Sequence, residues 1–389
     1  MDPEQLDKNP LTKVKPNELK CEVESLMETL PFNRGSAPCK LAVKNADSYL
    51  VAYRDIGLLL YEKGKLYYSS VDPMRRFADL EHLDVVYVKS LNYYLLCSNN
   101  KLSKKRIDSS APYLFMDIEL NAMEVSCFKM VPDHRYRVMF VDKGDQLFLV
   151  NLKTGKIEMR YSRKLGDQEG EQDTRLRHYQ PHRVNWKVGA DPVNPEIKRS
   201  VVVTQVSNDD KIISVCLQSH QTLNTTNLKP HLPRFDGDED ESAIDLQSFT
   251  LCPQNRYLLL KTLLCNVNGE DPILILFELA EDYGLNFVTS LKNQKGQGPQ
   301  SWGALSCLVP VGYFGQQRLL FVGAEDSWVK KDVSLLFFEF DVQTKTLIVV
   351  SNLKTGFGEK HVTGMWKVGD YFYFIGELGK VMRFRLVKA

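Results

Sequence analysis

The chain has 389 residues, a net charge of +1, 43% hydrophobic and 25% charged residues. This is the composition of an ordinary folded, soluble protein, long enough to bury a large core. A charge this close to zero argues against a field-driven role on nucleic acid or a membrane surface, and the many Tyr and Phe residues favour strands.

The N-terminal MDPEQLDKNPLTK is polar, carries both signs of charge, and lacks the basic start and apolar core of a signal peptide. Residues 1–18 read as a flexible segment ahead of a single domain, 19–389. No apolar run approaches the roughly 20 residues that a membrane helix needs. LKCEVESLM (Leu19–Met27) is a spare strand candidate. First strands of a repeated unit are then expected near Cys39, Asp84, Val125, Arg183, Asp245, Ala304 and Val362. Second strands follow as SYLVAY, NYYLLC, YRVMFV, SVVVTQV, YLLLKTL, RLLFVG and YFYFIG. Polar turns such as RDIG, DKGD and NGED come next.

The units repeat in sequence. FLVNLKTGKI (Phe148–Ile157) aligns with FEFDVQTKTL (Phe338–Leu347) and, more loosely, with FELAEDYGL from Phe277. Ser126–Val141 and Gln247–Thr262 share Pro-x-x-Arg-Tyr, where Pro132 and Pro253 set φ in a turn and Arg-Tyr opens the next strand. Trp-Lys-Val-Gly occurs at Trp186 and again at Trp366, and both Trp side chains are expected in the core. Seven units of about 40–60 residues are the size of propeller blades. The predicted fold is therefore all-β, a seven-bladed β-propeller of four-stranded antiparallel blades. The last unit stops after its third strand, so the ring is expected to close when Leu19–Met27 supplies the fourth.

Val131-Pro132-Asp133-His134-Arg135 and Asn151-Leu152-Lys153-Thr154-Gly155 resemble the two characteristic turns of the WD40-repeat family. The resemblance is good in the third unit, fair in the fifth and sixth, and architectural elsewhere. No unit ends its third strand with Trp-Asp, and no Gly-His precedes a first strand in the usual place, so the family's Asp–His–Ser–Trp network does not carry over. The resemblance implies an interaction scaffold, an inference from fold alone.

In such a meander, connections between units and those between second and third strands share one end. The long loops Ser162–His182, Lys229–Ala243, Leu291–Gly303 and Gly323–Asp332 all fall there. Long polar loops on a rigid frame concentrate binding, although loops also tolerate insertion without function. The expected partner-binding residues are Arg175, Arg177, His178, Asp238, Glu239, Trp302 and Trp328. Arg175, Arg177 and His178 could pair with an acidic segment, but Asp167, Glu169, Glu171 and Asp173 interleave with them, and a solvated loop is the plainer reading. Trp302 and Trp328 are interface anchors or rim covers.

No metal, cofactor or catalytic residue is expected. His178 and His182 have the spacing of a helical metal pair, but Pro181 opposes a helix. DGDED (Asp236–Asp240) opens like a calcium loop but places Glu241 and Gln247 where Gly and Glu belong. GQGPQSWG lacks the Lys-Ser/Thr of a phosphate loop, and neither a nucleophile elbow nor His-Glu-x-x-His occurs. The eight cysteines include no CxxC and read as reduced, buried thiols in a cytoplasmic or nuclear protein. The expected function is a non-catalytic adaptor or scaffold subunit whose partners are other proteins. The alternatives are a metal-dependent, lactonase-like propeller hydrolase and an RNA- or ribosome-associated propeller using basic loops such as KLSKKR (Lys101–Arg106).

Overall fold

The computed structural model describes residues 19–27, 40–53, 57–63, 65–69, 84–88, 92–98, 101–108, 111–119, 131–132, 137–141, 146–151, 154, 156–162, 185–190, 198–205, 211–216, 222–231, 243–252, 256–266, 269–280, 284–292, 305–314, 317–325, 332–376 and 380–388. Among them the regular structure is strand, apart from a 3₁₀ turn at Lys229–His231. The first strand is β1 (Leu19–Met27). The first sheet is β2 (Lys40–Asn45), β3 (Ser48–Tyr53), β4 (Gly57–Glu62) and β5 (Lys65–Ser69). The second is β6 (Asp84–Val88), β7 (Tyr93–Ser98), β8 (Lys101–Asp108) and β9 (Ala111–Glu119); KLSKKR, expected as a basic loop, is instead the body of β8, hydrogen-bonded to β7 and β9 on either side. The third is β10 (Val131–Pro132), β11 (Arg137–Val141), β12 (Gln146–Asn151) and β13 (Ile157–Ser162). The fourth is β14 (Asn185–Ala190), β15 (Lys198–Gln205), β16 (Lys211–Cys216) and β17 (Thr222–Asn227). The fifth is β18 (Ala243–Leu251), β19 (Tyr257–Asn266), β20 (Gly269–Leu279) and β21 (Leu285–Lys292). The sixth is β22 (Leu305–Phe314), β23 (Arg318–Glu325), β24 (Ser334–Asp341) and β25 (Thr346–Lys354). The seventh is β26 (Val362–Val368), β27 (Tyr371–Gly376) and β28 (Val381–Lys388), with β1 on its outer edge. Every sheet is a four-stranded antiparallel meander, the last completed by β1. The first strand expected near Val125 appears only as the short β10, because 120–130 lie outside the described residues.

The chain divides into two compact units. One holds the first four sheets (Lys40–Pro230, with Glu281–Gly284); the other holds β1 and the last three sheets. Within the first unit, β6 lies beside β2 and β10. Its described core gathers Ala42, Leu50, Ala52 and Leu60 of the first sheet against Val85 and Tyr94 of the second. Within the second unit, β22 lies beside β18 and β26, and β25 beside β21.

The sixth sheet shows why its sequence is so apolar. Alternate residues of a strand point to opposite faces. Leu319 and Phe321 of β23, with Leu336, Phe338 and Phe340 of β24, pack toward Tyr257, Leu259, Leu274 and Leu276 of the fifth sheet. Leu320, Val322, Leu335 and Phe337 pack toward Met365, Phe372, Phe374 and Phe384 of the seventh. A sheet covered on both faces needs continuous apolar middle strands, and β23 and β24 are buried along nearly their whole length. The outer β25 alternates exposed and covered positions. Trp366 is half-buried, its ring lying over Gly364, and is less enclosed than a core residue; the Trp186 side chain lies outside the described residues.

A bulge recurs between the third and fourth strands. In the first six sheets the outer strand carries one extra residue: Tyr67, Phe115, Glu158, Leu223, Val288 and Val350. The β1–β28 pair has the same irregularity at Leu26. Bulges sharpen the local twist and re-aim a side chain. Val288 and Val350 use theirs to pack on the two cores. β1 thus takes both the place and the bulge of an outer strand. Glu22 stands opposite Arg385 in the register and accepts from its Nε and Nη2, each at 2.6 Å.

Candidate functional site

Each sheet has two ends, and side chains tie neighbouring connections together at both ends of the last three sheets. At one end, Asp332 closes the long β23–β24 connection and reaches the β25–β26 connection. Its carboxylate accepts from Phe357 N at 2.7 Å, Thr355 Oγ1 at 3.3 Å and Gly356 N at 3.3 Å. The one Thr355 hydroxyl proton is shared with the Val333 carbonyl, the nearer acceptor at 2.7 Å. Gly356 and Gly358 take φ of 66° and 77°, which L residues adopt at a cost, so the turn Thr-Gly-Phe-Gly is written into the sequence. Between the glycines, Phe357 is fully buried and packs on Phe374, ring centroids 4.7 Å apart. Glu359 is also buried and accepts from Lys380 N at 3.1 Å in the β27–β28 connection. Three connections from two sheets are thereby tied to one another by side-chain hydrogen bonds.

The expected partner-binding residues all lie outside the described residues: Arg175, Arg177 and His178 between β13 and β14, Asp238 and Glu239 between β17 and β18, Trp302 before β22, and Trp328 between β23 and β24. The metal-like pair His178 and His182 and the DGDED run lie outside them too. What is described is the frame carrying two of these loops. Asp332 anchors the end of the loop containing Trp328. The loop containing Asp238 and Glu239 leaves from His231, whose ring stacks on Phe287 at 5.2 Å and 5°. Phe287 is 41% exposed, an apolar ring left at the outer edge, and burial pushes His231 below the usual histidine range.

At the other end, Arg256-Tyr257 shows what Pro-x-x-Arg-Tyr does. The Cys252 sulfur accepts from Arg256 N at 3.2 Å and Tyr257 N at 3.1 Å, capping the turn as a hydroxyl would. Tyr257 is fully buried against Phe340, and its hydroxyl has no hydrogen-bond partner among the described residues. Arg256 Nε donates to Glu278 at 2.8 Å, and Lys345 Nζ lies 4.0 Å from the other oxygen of that carboxylate. Both cations lie near the Tyr257 ring, at 5.4 and 6.0 Å. In the next sheet Arg318 stands 3.7 Å from Glu339. The turn after β24 is capped by Asp341, which accepts from Gln343 N at 2.8 Å and Thr344 N at 3.0 Å and is held below the usual carboxylate range by them, Thr344 first. Asn151 caps the equivalent turn after β12 through Thr154 N at 3.2 Å, so the Asn-Leu-Lys-Thr-Gly likeness reflects a shared turn mechanism.

Burial pushes Glu339 above the usual carboxylate range, with Arg318 opposing and Asp341 adding to the rise. A carboxyl raised by folding incurs no burial penalty while protonated and loses stability as pH rises through its folded value. Glu339→Gln is therefore expected to be more stable than the parent at neutral pH. The gain should shrink as pH falls below the carboxylate range, as read from denaturant midpoints across pH.

Among the described residues no group of three or more His, Cys, Asp or Glu is placed to hold a metal ion, and no helix is long and apolar enough to cross a membrane. No family model and no curated protein matches the sequence. Among solved structures, the chain is similar to the β-propeller domain of Cps50 (Swd1) from Myceliophteria thermophila, with a TM-score of 0.51 at 12% identity over 90% of this chain and 96% of that one. At that identity the likeness is one of fold.

Proposed function

We propose that the chain is a seven-bladed propeller, closed into a ring by β1, that serves as a non-catalytic scaffold or adaptor subunit for other proteins. The observation that carries the reading is the end of the last two sheets where Asp332, Phe357 and Glu359 lock three connections together. A pre-ordered loop end binds without first losing freedom, which favours recognition. The long connection with Trp328 ends on this frame; in this reading Trp302 and Trp328 are aromatic anchors, Arg175, Arg177 and His178 pair with acidic groups of the partner, and Asp238 and Glu239 with basic ones. The buried thiol of Cys252 suits a reducing, intracellular setting.

The test is capture of endogenous partners by the tagged full chain, with size exclusion alongside. The parent is expected to elute well above the 44.6 kDa of one chain. Trp302→Ala, Trp328→Ala and the pair Arg175→Ala/Arg177→Ala should each lower partner recovery by about tenfold while the melting temperature stays put. Full recovery with all three would refute this binding face. Elution at the monomer mass with nothing attached would refute the scaffold.

A further inference from the structure

The head of the connection between β17 and β18 carries a feature that the scaffold reading does not use. His231 ends the 3₁₀ turn there and is half-buried. Its ring lies flat on Phe287 of β21, with centroids 5.2 Å and planes 5° apart. It meets Phe277 of β20 edge-on, at 5.5 Å and 83°. Phe277 and Phe287 are partners in the β20–β21 register, their own rings 6.1 Å apart and 80° to each other. The bulge explains how this face is built. Val288, the extra residue, packs on the core shared with the sixth sheet, while Phe287 stays with Phe277 on the opposite face. Phe277 is fully buried and Phe287 is largely open, so the imidazole fills the step between a core ring and an outer one.

We infer that the His231 stack is an acid-released latch: it holds the head of this connection on the outer edge of the fifth sheet while the imidazole is neutral, and frees it, with the face of Phe287, on protonation. Imidazole is the aromatic side chain that gains a proton close to neutral pH. Neutral, it packs on phenyl rings as another flat ring does. Protonated, it places a charge in a half-buried apolar site, which burial disfavours. The groups around it do little to offset that charge. On β20, Glu278 alternates to the opposite face and is engaged by Arg256 and Lys345. β21 carries Asn286 beside Phe287 and no ionisable residue before Lys292 at its far end. Lys229, in the same 3₁₀ turn, is itself a cation. Burial accordingly moves His231 below the usual histidine range. Asp236, Asp238, Glu239, Asp240 and Glu241 follow in the connection and lie outside the described residues; carboxylates closing on the ring would move it the other way. A histidine lowered by folding contributes its full stability above the ordinary histidine value and loses it as pH falls from there through the folded value.

The test is a titration of the purified full chain by NMR, with labelled His and Phe, from about pH 8 to about pH 5. His231 is expected to gain its proton at lower pH than the same residue in the urea-unfolded chain. The magnetisation transfer between the His231 and Phe287 rings should fade over that same range. Phe287→Ala should bring the His231 titration back toward the unfolded value. His231→Phe, which can stack but not titrate, should lose less stability than the parent over this range, as read from denaturant midpoints. A His231 titration at or above the unfolded value would overturn the inference, as would a ring contact that survives protonation. An unchanged titration in Phe287→Ala, or the same pH dependence in parent and His231→Phe, would overturn it too. The parent titration and ring contact decide the matter even if a variant fails to fold. None of these outcomes depends on which partners the long loops capture.

Discussion

Removal of residues 1–27 is expected to abolish the single cooperative unfolding transition of the chain and to leave it prone to self-association. β1 pairs with β28 over its whole length, from Leu19–Lys388 to Met27–Val381. Without it, β28 becomes an edge strand with open N–H and C=O groups, a template for pairing with another chain. Of the buried side chains of β28, Met382, Phe384 and Leu386 belong to the core shared with the sixth sheet. The effect should therefore spread beyond one edge. Adding the peptide LKCEVESLM in trans should restore protection of β28 amides in hydrogen exchange, which separates loss of the strand from general damage. A truncated chain that melts cooperatively at the parent temperature would show that β1 adds nothing to stability.

Gly376→Ala is expected to cost about 3 kcal/mol, large for adding one methyl group. Gly376 ends β27, and a Cβ there would run into the Glu359 carboxylate and the edge of the Phe357 ring. Neither can yield easily. Phe357 is fully enclosed against Phe374, and Glu359 is bound to Lys380 N. The new methyl must push a buried carboxylate off its Lys380 N donor, at the cost of that hydrogen bond. The check is a double-mutant cycle with Glu359→Ala, which clears the space. The two substitutions together should cost less than their sum, by at least about 1 kcal/mol, in denaturant unfolding. Strict additivity would mean that Glu359 is not what Gly376 makes room for.

The strands were legible because their chemistry is local. SYLVAY is β3 residue for residue, and YLLLKTL and RLLFVG fall inside β19 and β23. Middle strands covered on both faces must be apolar without interruption, and the turns between them must be polar or rich in Gly. The turns at Asn151 and Asp341 were legible for the same reason, since one side chain caps its own loop. The bulges opposite the third strands were not. The extra residues Tyr67, Phe115, Glu158, Leu223, Val288 and Val350 share no chemical type that would mark them.

The described site was the least legible part. Asp332 and Thr355 are 23 positions apart, and Glu359 and Lys380 are 21 apart. In sequence Asp332 is one charge at the end of a polar loop and Glu359 one charge among Gly and Lys. Gly356 and Gly358 hint at a turn but not at what fills it. Likewise Arg256-Tyr257 reads as the opening of a strand. That Tyr257 would be enclosed between the fifth and sixth sheets while Arg256 and Lys345 share Glu278 follows only from laying one sheet beside the next.

By itself, then, the amino-acid order determined an all-β chain of repeated antiparallel meanders, their strands, the capped turns at Asn151 and Asp341 and the spare segment at Leu19. These depend on side-chain alternation and backbone preference within a few residues. Only the tertiary structure decided which carboxylates turn inward to hold backbone N–H groups and which cations are left facing solvent. Burial and pairing are properties of surfaces brought together from distant positions, and a charge carries no mark in the sequence of whether water or a buried amide will surround it.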